Sequence, residues 1–158
     1  MATPDPQKTP EEQLIGVVNT KYRTNLSVDQ VVFGRVWDLN NLVPADLPTF
    51  DIEPGFNSAV DLRSADGQPY EFATSLHYNR LALGVLFSER DRTFVGEINH
   101  THELVPLLRQ RLGFQISTAD IAGHEIEGPV GYPKTVLLNA APNSLLLNGS
   151  VEITLAGP

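Results

Sequence analysis

Four histidines and a handful of acids are the only side chains in this sequence whose spacing could support chemistry. His100-Thr101-His102, with Glu97 and Glu103 beside them, is the most metal-like group. On extended chain, side chains at i and i+2 face the same side, so two imidazoles could reach one ion. A structural site needs about four ligands with supporting partners, and this stretch stands just before an amphipathic segment. It reads more simply as the polar lead-in that caps a helix. Ser117 and Asp120 offer a hydroxyl and a carboxylate three residues apart, which could make a nucleophile pair. The same spacing occurs at Ser27-x-x-Gln30, and a Ser followed three positions later by an acid or amide is the signature of a capping box. Asp51 and Glu53 could act as paired carboxylates, but they lie in a proline-bounded stretch without a scaffolded second acid. His77 falls mid-strand opposite Leu76 and Tyr78 and is expected to face solvent, and His124 carries no constellation. Nucleophile-elbow, zincin and phosphate-loop motifs do not occur. The expectation is a chain that is not an enzyme, with no catalytic residue, no metal ligand and no cofactor.

Composition narrows the partners. The net charge is −8 at pH 7 over 158 residues, with acids spread along both halves. Such a surface repels phosphate backbones and anionic membranes, so neither nucleic acid nor membrane is expected as a partner. Cysteine is absent, which removes disulfides and thiolate chemistry. The first residues lack the apolar core of a secretory signal, and no apolar run approaches the ~20 residues that span a bilayer.

The elements follow from pattern. Residues 1–10 carry Pro4, Pro6 and Pro10 and read as an extended arm. Thr9-Pro10-Glu11-Glu12 then starts a helix, with Thr9 as N-cap and Pro10 in the first turn. The stripe Leu14/Val17/Val18 makes that helix amphipathic, and it should stop near 23–25. Ser27 caps a short turn, Val31–Val36 forms a strand, and residues 37–57 read as an irregular insertion with prolines at 44, 48 and 54. Alternation over 58–63 and 72–83 around Asp66-Gly67 predicts an antiparallel hairpin. Residues 84–98 bridge to a second half, with a further strand at Phe94 and Val95.

That second half repeats the first. At an offset of 90, Leu14, Val17 and Val18 align with Leu104, Leu107 and Leu108, Ser27 with Ser117, and Val31 with Ile121. Thr135–Leu138 resembles Ala59–Leu62, and Gly149–Ile153 resembles Ala73–His77. A shared order of helix, capped turn, strand and hairpin is the mark of an internal repeat. Pro106 replaces Gly16 within the aligned helix, so the second helix should begin near 103–105. The predicted fold is α+β with two tandem related units, each a helix packed on a small antiparallel sheet. The units span 11–95, with the insertion at 37–57, and 96–158.

The runs LIGVVNTKYRTNLSVDQVVFG (14–34) and TSLHYNRLALGVLF (74–87) resemble a family of small repeated helix-plus-hairpin domains in structural proteins of tailed bacteriophages. Its phrases stand here as Asn19-Thr20-Lys21-Tyr22-Arg23-Thr24 and Tyr78-Asn79-Arg80-Leu81-Ala82-Leu83. The second half keeps the outline and loses both phrases, reading Arg109–Phe114 and Ile153–Leu155 instead. The resemblance implies a virion component assembled in the host cytoplasm, first a capsid decoration protein bound to the major capsid protein, with possible self-association on the particle. A tail, neck or baseplate accessory is the alternative within that class, and a carbohydrate-binding module the alternative outside it. Contact with neighbours would fall to the arm and the insertion, at Pro4, Pro6, Pro10, Trp37, Leu42, Phe50 and Phe56. For Trp37, the only tryptophan, two roles stay open: sealing the local core, or anchoring a neighbour.

Overall fold

In a computed structural model, residues 5–127 and 131–158 are described. Pro4 lies outside them. The architecture is mixed α+β, with small sheets, largely antiparallel, and few helices. The chain divides into two compact units between Arg80 and Leu81.

In the first unit, α1 spans Pro10–Tyr22. It starts where the capping signal placed it: Thr9 Oγ1 accepts from the Glu12 N–H at 3.2 Å. It ends on Arg23 in the left-handed conformation, φ 54°, with the Arg23 N–H bonded to the Asn19 carbonyl. The buried stripe is Leu14, Ile15 and Val18, while Val17 is turned outward. The expected stripe was therefore rotated by one position, since an adjacent pair of apolar residues leaves the helix free to bury either. A 3₁₀ turn over Val28–Gln30 follows, closed by the Ser27 N–H donating to Gln30 Oε1 at 2.9 Å.

Strands β1 (Val31–Asp38), β2 (Ser58–Ser64) and β3 (Ala73–Tyr78) make an antiparallel sheet in that order. The expected second arm of the hairpin, 72–83, is shortened to 73–78. Its two strands are joined by residues 65–72, of which Asp66-Gly67 is only one turn. The sheet has two different faces. Val36, Val60 and Leu76 lie side by side on one, and all three are buried. Trp37, Ala59 and His77 lie side by side on the other. A bulge between Phe33 and Val36 sets this register. Gly34 sits in it because a Cβ there would meet the Asp61 carbonyl oxygen at 3.2 Å and the Asp61 Cβ at 3.3 Å.

The second unit holds β4 (Leu81–Ala82), α2 (Leu83–Leu86), β5 (Thr93–Val95), α3 (Val105–Leu112), β6 (Lys134–Asn139), β7 (Leu147–Asn148) and β8 (Ser150–Gly157). A 3₁₀ turn over Thr101–Leu104 leads into α3, which tolerates Pro106 because it falls in the first turn. Two features depart from the expected all-antiparallel unit. β5 joins β8 in parallel, and β4 pairs β7 in parallel. The strand expected near Ile121–Ile126 is reduced to two isolated bridges, Ile121 with Ala140 and His100 with Glu125. Segment 81–95, placed within the first unit by its sequence, thus finds its strand partners at 147–148 and 154–157.

Candidate functional site

Residues 39–57 form a closed loop whose sequence decides its path. The Leu39 N–H donates to the Asn57 carbonyl at 2.9 Å, drawing the ends together. Asn57 locks that neck to the end of β3: its backbone N–H donates to Asn79 Oδ1 at 2.9 Å, and its Oδ1 accepts the Arg80 N–H at 2.8 Å. Arg80 is itself buried, and its Nε donates to Ser58 Oγ at 2.7 Å. Loss of water around the guanidinium pushes its pKa below the ordinary arginine value.

Inside the loop, aromatic and charged side chains fasten it to the sheet face that α1 does not cover. Phe50 points its ring edge-on at both Trp37 (centroids 5.9 Å, 87°) and His77 (5.1 Å, 88°). Such perpendicular pairs satisfy the ring quadrupoles. Phe56 lies 6.2 Å from His77 at 55°. On Trp37, the Arg35 guanidinium stacks 3.6 Å from the ring centroid. Arg35 then grips Asp46 of the loop with two nitrogens, at 3.0 and 2.5 Å. This pairing holds the Asp46 carboxyl below its ordinary pKa and raises that of Arg35. Beneath, the Trp37 Nε1–H is 3.3 Å from both oxygens of Asp61, and Ser75 Oγ donates to Asp61 Oδ1 at 3.1 Å.

The residues singled out from sequence separate into inner and outer sets. Trp37 is only 8% exposed, so it seals the sheet under the loop instead of meeting a neighbour directly. Leu42 and Phe50 are half-buried, whereas Phe56 is 38% exposed. Pro10 is the first residue of α1, and Pro6 is exposed in the arm. The loop's own outward apolar residues are Val43, Leu47, Ile52 and Phe56, with Val43, Leu47 and Ile52 each more than half exposed. Val43, Leu47 and Ile52 were not among the expected contact residues, because an apolar residue between prolines gives no period from which to read its direction. His77 is not solvent-facing: the folded-back loop leaves it 7% exposed. Neither of its ring nitrogens has a hydrogen-bond partner among the described residues.

The other candidate chemistry is taken up by local structure. His100 Nδ1 accepts from the His102 N–H at 3.1 Å, as an N-cap, and His102 Nε2 lies 2.8 Å from the Ile121 carbonyl. Gly123 lets that ring sit close, since a Cβ would fall 2.6 Å from it. Asp120 Oδ2 accepts from the Ser117 N–H at 2.9 Å, and its Oδ1 accepts from Ser144 Oγ at 2.6 Å. Among the described residues, no group of three or more metal-binding side chains converges, and no helix is long and apolar enough to cross a membrane.

The chain belongs to a family of unknown function (DUF7941), whose profile matches residues 7–158. No curated protein and no solved structure matches it.

Proposed function

From this geometry and the resemblance of residues 14–34 and 74–87, we propose that the chain is a structural, subunit-binding protein of a tailed-phage virion, with loop 39–57 as its docking surface. The observation that carries the docking role is the loop's two-sided construction. Trp37, Phe50, His77 and the Arg35–Asp46 pair hold it from below, and Val43, Leu47, Ile52 and Phe56 stand outward. Four exposed apolar groups on one short loop favour a contact site, and a loop already ordered on its scaffold loses little further entropy when it binds. The virion setting rests on the resemblance of residues 14–34 and 74–87, and capsid decoration is the preferred position. There, a protein that binds the assembled shell and not its free subunits stabilises the shell by mass action.

The same proposal includes two related tandem units, and local hydrogen bonding supports it. The buried stripe Leu14/Ile15/Val18 of α1 has its counterpart in Leu104/Val105/Leu108 at the same offset of 90. Both helices stop on a left-handed residue, Arg23 and Gly113, whose N–H bonds to Asn19 and Arg109 respectively. Those two side chains then bond the carbonyls of Leu26 and Ile116. Ser27 with Gln30, and Ser117 with Asp120, close equivalent turns. The carbonyls of Gln30 and Asp120 in turn accept from Ala65 and Ala141. Six residue pairs of β2–β3 correspond to six pairs of β6–β8, with Ser58↔Tyr78 matching Lys134↔Leu155. This register sets Ala73 against Ser150, one residue beyond the alignment expected from sequence. The stretch between Ile126 and Lys134 is far shorter than loop 39–57.

Purified particles with and without the protein test the function. Decoration predicts many copies on complete heads and earlier head rupture on heating when the protein is missing. Loss of infectivity with heat-resistant heads would move it to the tail, and its absence from complete particles would overturn the virion reading.

A further inference from the structure

On the other face of the first unit's sheet, α1 and the strands leave an apolar groove of about 280 Å³, lined by Val18, Tyr22, Leu26, Val31, Phe72 and Thr74, with Thr24 beside them. The correspondence between the two units states what belongs there. Tyr22, Thr24 and Thr74 occupy the positions of Leu112, Phe114 and Val151. The latter three are all buried, at 8% exposure or less, while Tyr22, Thr24 and Thr74 are exposed. The first unit therefore carries threonines where the second packs a phenylalanine and a valine inward, and the corresponding space is open.

Next to the groove runs an unpaired backbone. The Ser64 N–H bonds to the Phe72 carbonyl at 2.9 Å, so the ladder alternates to place Thr74 and Leu76 in bonds with β2. Ala73 and Ser75 then direct their N–H and C=O groups away from β2, at the outer edge of the sheet. An open edge accepts a further strand, and a pocket beside it selects one side chain of that strand.

We infer that this groove, together with the start of β3, receives an extended segment of a neighbouring protein subunit that inserts one uncharged side chain of phenylalanine size. The inference rests on the two-unit reading above, and the identity of the inserted side chain comes from Phe114. It adds a second contact surface, separate from loop 39–57.

The test uses the full chain, labelled with ¹⁵N, and a blocked five-residue peptide with phenylalanine between threonines. Amide shifts are expected at residues 18–31 and 72–75, with none from the same peptide carrying alanine at its centre. Thr74→Arg, at an exposed position, places a charge in the groove and should abolish the shifts. Thr24→Phe should abolish them as well and raise the melting temperature by filling the groove from within. Absence of shifts at millimolar peptide, shifts elsewhere, or shifts that survive Thr74→Arg would each overturn the docking site. If Thr24→Phe raises the melting temperature and the peptide does not bind, the docking site falls and the two-unit reading stands. If the peptide binds and Thr24→Phe lowers the melting temperature, the two-unit reading falls and the docking site stands.

Discussion

Phe50→Ala removes the ring that fastens loop 39–57 to its sheet, and Trp37 reports the result. Phe50 makes two perpendicular ring contacts, to Trp37 at 5.9 Å and to His77 at 5.1 Å. Truncating a fully buried phenylalanine costs about 3–5 kcal/mol, and each aromatic pair contributes about 0.5–1.5 kcal/mol beyond its buried area. Phe50 is half-buried, so the loss should fall below that span, at about 2 kcal/mol. Most of it falls on the closed state of the loop, because the helix-side core of Leu14, Val36, Val60 and Leu76 does not involve this ring. A change of about 2 kcal/mol raises the open fraction of the loop roughly thirtyfold. Trp37 is the only tryptophan and is 8% exposed, so its fluorescence belongs to this site alone. The variant should show red-shifted emission and stronger iodide quenching while its far-ultraviolet circular dichroism stays unchanged. Unchanged emission and quenching in a variant that has lost about 2 kcal/mol would show that Phe50 supports the sheet and not the loop.

Three further outcomes follow from the same contacts. His77→Phe should stabilise the protein by about 1 kcal/mol, because it replaces two buried ring nitrogens that lack partners; a lower urea midpoint would refute this. Arg23→Gly should also stabilise, by about 1 kcal/mol, since a non-glycine residue pays for its left-handed φ of 54°, whereas α3 ends on a glycine, Gly113, in the same left-handed region. An unchanged or lower melting temperature would count against it. The Asp46 carboxyl has a depressed pKa in the folded protein, so its contribution is complete above the ordinary carboxylate value and disappears as pH falls through the lower folded value. Trp37 quenching should therefore rise in acid, and Asp46→Asn should show the raised quenching already at neutral pH; an identical acid profile in the variant would exclude the Arg35–Asp46 clasp as its cause.

What could be read from the sequence was local. Thr9, Pro10, Ser27 and Ser117 announce turns and helix starts through their own hydrogen-bonding groups, and Pro106 fixes where the second helix begins. These signals need no knowledge of the rest of the chain. The direction of a helix face needs more. Val17 and Ile15 are equally apolar, and only the sheet beneath α1 decides that Ile15 turns inward. Parallel pairing of β5 with β8 depends on segments about sixty residues apart, and a three-residue strand carries almost no period of its own. At the candidate site, Trp37 and Phe50 stood out as large aromatics, but alternation along β3 misplaced His77. Alternation assumes that one sheet face meets water, and the loop of 39–57 covers it. The outward residues Val43, Leu47 and Ile52 became visible only once the loop's attachment was known.

The docking role of that loop is tested most directly by replacing Leu47 and Ile52 with aspartate, at positions more than half exposed, and adding the variant to particles that lack the protein. The melting temperature should be unchanged and co-sedimentation with the particles lost. Full occupancy of the particles by the double variant would contradict the docking role.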